Sequence, residues 1–171
     1  MIDQETVLER LKRLSTGERA ALRRAAGQPL AAADGRALQA LFRALPGGTP
    51  PYEQGRWFTT LSIACLWDAE EAKVDESLPR MLQAYAKAHQ SNGMDSRIRS
   101  LLDARREEDG YLAGKLARLA RMLRAENRQR MPDMDRLLKG LKGWNGDRRS
   151  VQLRWADEYY LSKEEVTPNV N

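Results

Sequence analysis

The 171-residue chain contains one cysteine, Cys65, and one histidine, His89. A lone cysteine excludes an internal disulfide framework, and the pair cannot build a Cys/His zinc cluster. Aromatics are scarce at 6%. Runs of Val, Ile, Thr, Tyr and Phe with alternating polarity are absent, which argues against a sheet protein. No apolar run reaches the roughly 18 residues of a membrane helix, and the first residues lack the charged-then-apolar pattern of a secretory leader. No glycine-rich phosphate loop follows a strand, and no pair of residues stands out as nucleophile and base. The sequence therefore predicts no catalysis, no cofactor, no metal, no membrane association and no small-molecule substrate. The solitary thiol, expected to be buried and inert, suits a reducing, cytoplasmic setting.

Leucine and alanine at helical spacing fill the space these absences leave. Val7, Leu8, Leu11 and Leu14 give a first amphipathic stretch. Ser15 and Glu18 have the spacing of a capping box, predicting a helix over 16–26 that ends at a left-handed Gly27. Leu38, Leu41, Phe42 and Leu45 predict a third helix after Asp34. Pro46, Gly47, Gly48, Pro50 and Pro51 break it, and a fourth helix carries Trp57, Phe58, Leu61, Ile63 and Cys65. Residues 68–77 are acidic and poorly periodic, so they read as a loop. Leu78, Met81, Leu82 and Tyr85 mark the next helix. Ser91, Asn92 and Gly93 mark a boundary, followed by helices over about 95–104, 108–128, 133–141 and 146–161. The expected fold is all-α, with eight to nine helices in two small bundles, residues 1–90 and 91–163. A tail over 164–171 is expected to be disordered.

Charge is distributed unevenly over this plan. The chain carries a net +5. Residues 1–90 hold 12 basic and 11 acidic side chains, whereas residues 97–154 hold 16 basic and 8 acidic ones. In the helix over 108–128, at about 100° per residue, Leu112, Leu116, Leu119 and Leu123 share one arc. Arg118, Arg121, Arg124 and Arg128 fall on the opposite arc, with Lys115 and Met122 at its border. Glu126 is the only acid between Leu112 and Arg130. A solvated helix face ordinarily mixes signs, because Glu and Lys four residues apart attract. A one-signed arginine face forgoes that gain and suits a polyanion, since guanidinium groups grip phosphate oxygens in pairs.

The segment Leu137 to Tyr160 combines cations at Lys139, Lys142, Arg148, Arg149 and Arg154 with Trp144, Trp155, Tyr159 and Tyr160. The aromatics are expected to anchor the segment to the core rather than to stack on bases. His89 reads as an exposed or capping residue. The acids among residues 103–109 are interleaved with Arg105 and Arg106, so they read as a charge-balanced turn rather than a metal site.

Three blocks resemble the CasB family, the small subunit of the type I-E CRISPR Cascade surveillance complex. They are LSTGERAALRRAAG with Leu14, Gly17, Leu22, Arg23, Arg24 and Gly27; SRIRSLLDARR followed by LAGKLARLARMLR; and the final segment with Leu138, Leu141, Trp144, Val151, Trp155, Ala156, Tyr159 and Tyr160. The resemblance implies an all-helical, non-catalytic subunit. Its expected partners are guide RNA, the other Cascade subunits, a second copy of itself, and the target and displaced DNA strands. Contacts to both strands would stabilise the R-loop, whose strand exchange is nearly balanced in energy. The residues predicted to contact phosphate are Arg23, Arg24, Arg97, Arg99, Arg118, Arg121, Arg124, Lys142, Arg148 and Arg149, with Arg23 and Arg24 alternatively serving a subunit interface. Asp157 departs from the basic character expected beside Trp155 and Ala156. Two other readings stay open: a helix-turn-helix regulator of duplex DNA, and a structural adaptor whose basic face meets an acidic protein.

Overall fold

The structure is a computed structural model describing residues 4–105 and 110–161. Among these residues the chain is all-α, as its leucine spacing predicts. The helices are α1 (Val7–Lys12), α2 (Thr16–Arg24), α3 (Gly35–Ala44), α4 (Pro51–Ala64), α5 (Leu78–His89), α6 (Met94–Leu102), α7 (Tyr111–Glu126), α8 (Met134–Lys142) and α9 (Ser150–Tyr160). None of them is long and apolar enough to cross a membrane. The tail over 164–171 and the acids Glu107, Glu108 and Asp109 lie outside the described residues.

Local chemistry sets most of the helix starts. The Ser15 hydroxyl accepts from the Glu18 amide, and the Glu18 carboxylate accepts from the Ser15 amide. That second bond holds the Glu18 carboxyl below its usual range. Thr6 and Glu9 form the same reciprocal cap at α1, and Asp34 caps α3. Some boundaries differ from expectation. Pro51, read as part of the break after α3, instead opens α4, because proline is suited to the first helical position, where the amide has no helical partner. The helix α9 starts at Ser150 rather than 146, since Trp144, Gly146 and Arg149 are engaged in successive tight turns and Arg149 is left-handed at φ 52°.

The acidic segment 68–77 is more than a loop. Its strand β1 (Lys73–Val74) pairs in parallel with β2 (Arg130–Met131), Lys73 opposite Arg130 and Val74 opposite Met131. Asp133 N–H donates to the Glu76 carbonyl and extends the stitching. Two-residue strands carry no alternating pattern, so periodicity could not reveal them. Ending α7 at Glu126 also removes Arg128 from the helix on which the sequence places it.

The buried side chains form one connected cluster that runs from Val7 and Leu11 through Phe58, Leu61 and Ile63 to Leu116, Leu141 and Trp144. The helix α7 buries Leu112, Leu116, Leu119 and Leu123 together with Ala113, Ala117 and Ala120. The three alanines let neighbouring backbone come close. Gly27 exploits this: at φ 94° it turns the chain after α2 against α7, and a Cβ there would lie 3.2 Å from the Ala117 Cβ. Gly140 plays a similar part between α8 and α9, because a Cβ on it would meet the Trp155 ring at 3.3 Å. The first helix is tied to α8 by the Val7 amide, which donates to Asp135 Oδ1 at 3.0 Å.

Candidate nucleic-acid interface

The helix α7 organises the cationic surface. Residues three apart on a helix are displaced by about 60° around its axis. Lys115, Arg118, Arg121 and Arg124 therefore do not form a straight stripe; they fan across half the circumference. One edge of the fan faces α6 and the other faces the ends of α2 and α4.

At the first edge lies a groove of about 440 Å³ between α6 and α7, lined by Ser96, Arg97, Ser100, Lys115, Arg118, Leu119 and Met122. Three cations and two hydroxyls surround an apolar floor, and among the described residues no carboxylate lines it. Arg97 Nη1 lies 3.1 Å from Met122 Sδ. The Lys115 ammonium sits 4.4 Å from the Tyr111 ring centroid, a cation–π contact that holds it beside the groove. Ser96 and Ser100 stand one helical turn apart on α6 and flank Arg97. Arg99 is exposed but lies about 160° around α6 from Arg97, so the sequence pair Arg97 and Arg99 is split.

At the second edge the arginines are already engaged. Arg121 Nη2 donates to the Ala26 carbonyl at 3.0 Å, and Arg124 Nε donates to the Leu66 carbonyl at 3.1 Å. Neither group points outward without a partner, as the helical wheel alone suggests. Arg23 and Arg24 occupy the last turn of α2, two or three residues before Ala26, and are exposed. Arg23 and Arg19 both favour the thiolate of Cys65, but burial prevails and pushes that thiol up to about 12. Cys65 is thus buried and held neutral, and the ends of α2 and α4 lie close together. The structure therefore brings Arg121 and Arg124 to the ends of α2 and α4, with Arg23 near the Cys65 thiol between those ends.

The remaining predicted residues are placed differently. Lys142 Nζ lies 3.7 Å from Glu53 Oε2 and over the Trp57 ring at 5.6 Å. Arg149 donates to the Leu102 carbonyl at 2.7 Å and lies 3.8 Å from Asp103 Oδ1. Arg148 is exposed beside Asp147. The aromatics of this segment are anchors, with one exception. Trp144 is buried and donates its indole N–H to the Ala104 carbonyl at 2.8 Å. Trp155 meets it edge-on at 5.0 Å. The Tyr159 hydroxyl donates to Asp95, and burial together with that bond raises its pKa. Tyr160 is 49% exposed and does not anchor the helix. His89 lies at the exposed end of α5, stacked on Tyr85 and 2.9 Å from Glu126.

Lys115 is the groove residue absent from the predicted set. Its signal was present, since it stands three residues before Arg118. Ser96 and Ser100 carried no charge signal, and only the packing of α6 on α7 reveals them. Among the described residues no group of three His, Cys, Asp or Glu side chains is placed to hold a metal ion.

Fold and surface together define a class: small all-α proteins whose helices present a one-signed cationic face. The chain belongs to one family in it, CRISPR-associated protein Cse2, whose model matches residues 18–160. TTHB189, a CRISPR-associated protein of the Cse2 family from Thermus thermophilus, is 30% identical with a TM-score of 0.73, covering 90% of this chain and 95% of that one. CasB from Thermus thermophilus is also 30% identical, with a TM-score of 0.72 and the same coverage. A chain of a CRISPR RNA-guided surveillance complex shares the fold at 21% identity and a TM-score of 0.64, covering 90% of this chain and 93% of that one. No curated protein matches the sequence.

Proposed function

We propose that the chain is a non-catalytic subunit of a type I-E Cascade complex that holds nucleic acid by its phosphates. It would steady the R-loop by contacting the target and displaced DNA strands without reading their sequence, in an assembly with guide RNA, the larger subunits and a second copy of itself. The observation that carries this reading is the α6–α7 groove, where Arg97, Lys115 and Arg118 converge with two serine hydroxyls and, among the described residues, no lining carboxylate. Such a site attracts phosphate and offers little that distinguishes one base from another. Family membership and the fold shared with a chain of an RNA-guided surveillance complex support the setting. The non-catalytic reading is supported by the state of the two residues best suited to chemistry: Cys65 is buried with a raised pKa, and His89 is held between Tyr85 and Glu126.

The geometry does not favour the helix-turn-helix alternative. A recognition helix needs hydrogen-bonding side chains on its outer face. The outward side chains of α9 include Leu153, Arg154, Asp157 and Tyr160, which leave a single basic donor among an aliphatic, an acidic and an aromatic group, while Gln152 is buried.

A salt titration tests the proposal. Binding of single- and double-stranded DNA of unrelated sequences should weaken linearly in log K against log salt, with little preference among sequences. The triple variant Arg97→Glu, Lys115→Glu, Arg118→Glu should lose at least about a hundredfold in affinity at low salt and flatten the slope by about one per removed contact. Unchanged binding by the folded triple variant would sink the groove as the phosphate site. Co-purification with guide RNA and larger subunits tests the assembly.

A further inference from the structure

Ala26 and Leu66 lie one residue beyond the C-caps of α2 and α4. Carbonyls at helix ends have no intrahelical donor and need one from elsewhere. Each of these two receives an arginine from α7, across 95 residues of sequence in one case and 58 in the other. The match is favourable for both sides: the negative end of a helix gains a cation, and the cation gains an acceptor. Gly27 makes the first contact possible, because its left-handed turn brings the Ala26 carbonyl against α7 and leaves Arg121 Nη1 about 4.0 Å from where a Cβ would stand.

A surface arginine normally loses rotamer freedom when it grips a phosphate, and that loss weakens binding. At this junction folding has already imposed it. A guanidinium carries five N–H donors in one rigid plane. One donor of each arginine is engaged by a carbonyl, so the others remain for phosphate oxygens. Arg23 and Arg24 add positive charge at the end of α2, beside the same junction.

We propose, resting on the nucleic-acid reading above, that Arg121 and Arg124 form a pre-oriented phosphate clamp across the junction of α2, α4 and α7. The Ala26 and Leu66 carbonyls are its positioning groups. A phosphate seated on the two guanidinium groups tightens the packing of the α2 and α4 ends against α7. By thermodynamic linkage, tighter packing there also raises affinity for the phosphate. The ligand is the sugar–phosphate backbone of a nucleic-acid strand, which passes from the α6–α7 groove over Arg121, one helical step from Arg118.

Hydrogen exchange on the full chain, with and without a short oligothymidylate at low salt, tests the clamp. The amides of Ala26, Gln28, Leu66 and Trp67 close the turns that present the two carbonyls. They are expected to exchange several-fold more slowly in the bound protein. In parallel, Arg121→Lys and Arg124→Lys keep the charge but lose the planar fork, and each should weaken binding about tenfold. Arg118→Lys, at a guanidinium with no carbonyl to orient it, should weaken binding about threefold or less. Binding with unchanged or faster exchange at the four amides overturns the clamp and leaves the groove reading standing. Equal losses for the three lysine variants overturn it as well. If the wild-type chain binds no oligonucleotide at any salt, the nucleic-acid reading itself fails and the clamp falls with it.

Discussion

The helix α7 and the segment spanning α8 and α9 are both rich in cations, yet the fold uses them in opposite ways. On α7 the cations spread over the surface and meet Arg97 in a groove that no carboxylate lines among the described residues. On α8 and α9 many of them meet acids: Lys142 meets Glu53 and Arg149 meets Asp103 from distant parts of the chain, and Arg136 lies 3.6 Å from its near neighbour Asp133. Arg154 shares a cavity wall with Glu158. Net charge along a sequence thus says little about the field at a surface. What matters is which acids the fold carries to each cation, and α7 is the element to which few are brought.

Removing the central anchor of the second segment should give the largest effect. Trp144→Ala empties a fully buried site and leaves the Ala104 carbonyl without its indole donor, so the loss of stability is expected to be about 3–5 kcal/mol by urea unfolding. A small loss would show that the segment is held by its charges rather than its aromatics. Next in size is a matched pair of exposed arginines. Arg118→Glu should weaken oligonucleotide binding at low salt by about tenfold or more, whereas Arg148→Glu, whose neighbour is Asp147, should cost about threefold or less. Equal losses measured by fluorescence anisotropy would erase the contrast between the two regions. The smallest effect belongs to Lys142→Ala, which removes a half-exposed ion pair and a cation–π contact. Its cost in unfolding free energy should be about 0.5–1 kcal/mol, screened further by salt.

A pH series examines the core shared by both regions. The Cys65 thiol has a folded pKa of about 12, above its ordinary value of 9.0. A raised pKa means the protonated form is favoured in the fold, so this contribution is complete below the unfolded pKa. Stability should fall as pH rises from about 9 toward 12, and Cys65→Ala should flatten that fall in alkaline unfolding curves.

The sequence showed well whatever depends on local chemistry. The Ser15–Glu18 cap, the Asp34 cap, the left-handed Gly27 and the apolar arc of α7 follow from rules spanning a few residues. The Thr6–Glu9 cap obeys the same rule as Ser15–Glu18 and was equally legible. The tryptophans were legible as anchors because a large apolar ring with one donor is best placed against a buried carbonyl. Other features depend on contacts between distant residues. Neither the pairing of Lys73 with Arg130 nor the capture of Arg121 and Arg124 by two helix ends leaves a periodic trace. The helical wheel placed those arginines away from the core, but it could not show that the ends of α2 and α4 lie there too. Lys115 stood at the edge of the wheel and became central only once α6 was packed beside it.

The bond from the Val7 amide to Asp135 has a consequence for the order in which the molecule is made. The acceptor for the first helix lies 128 residues downstream. At roughly 5–20 residues per second of synthesis, α1 waits about 6–26 s after its own emergence before that carboxylate exists. During this interval Val7 and Leu11, both fully buried in the finished fold, lack the α8 surface that helps to cover them. The helix α1, which leaves the ribosome well before α8, is thus among the last parts of the chain to reach its final place.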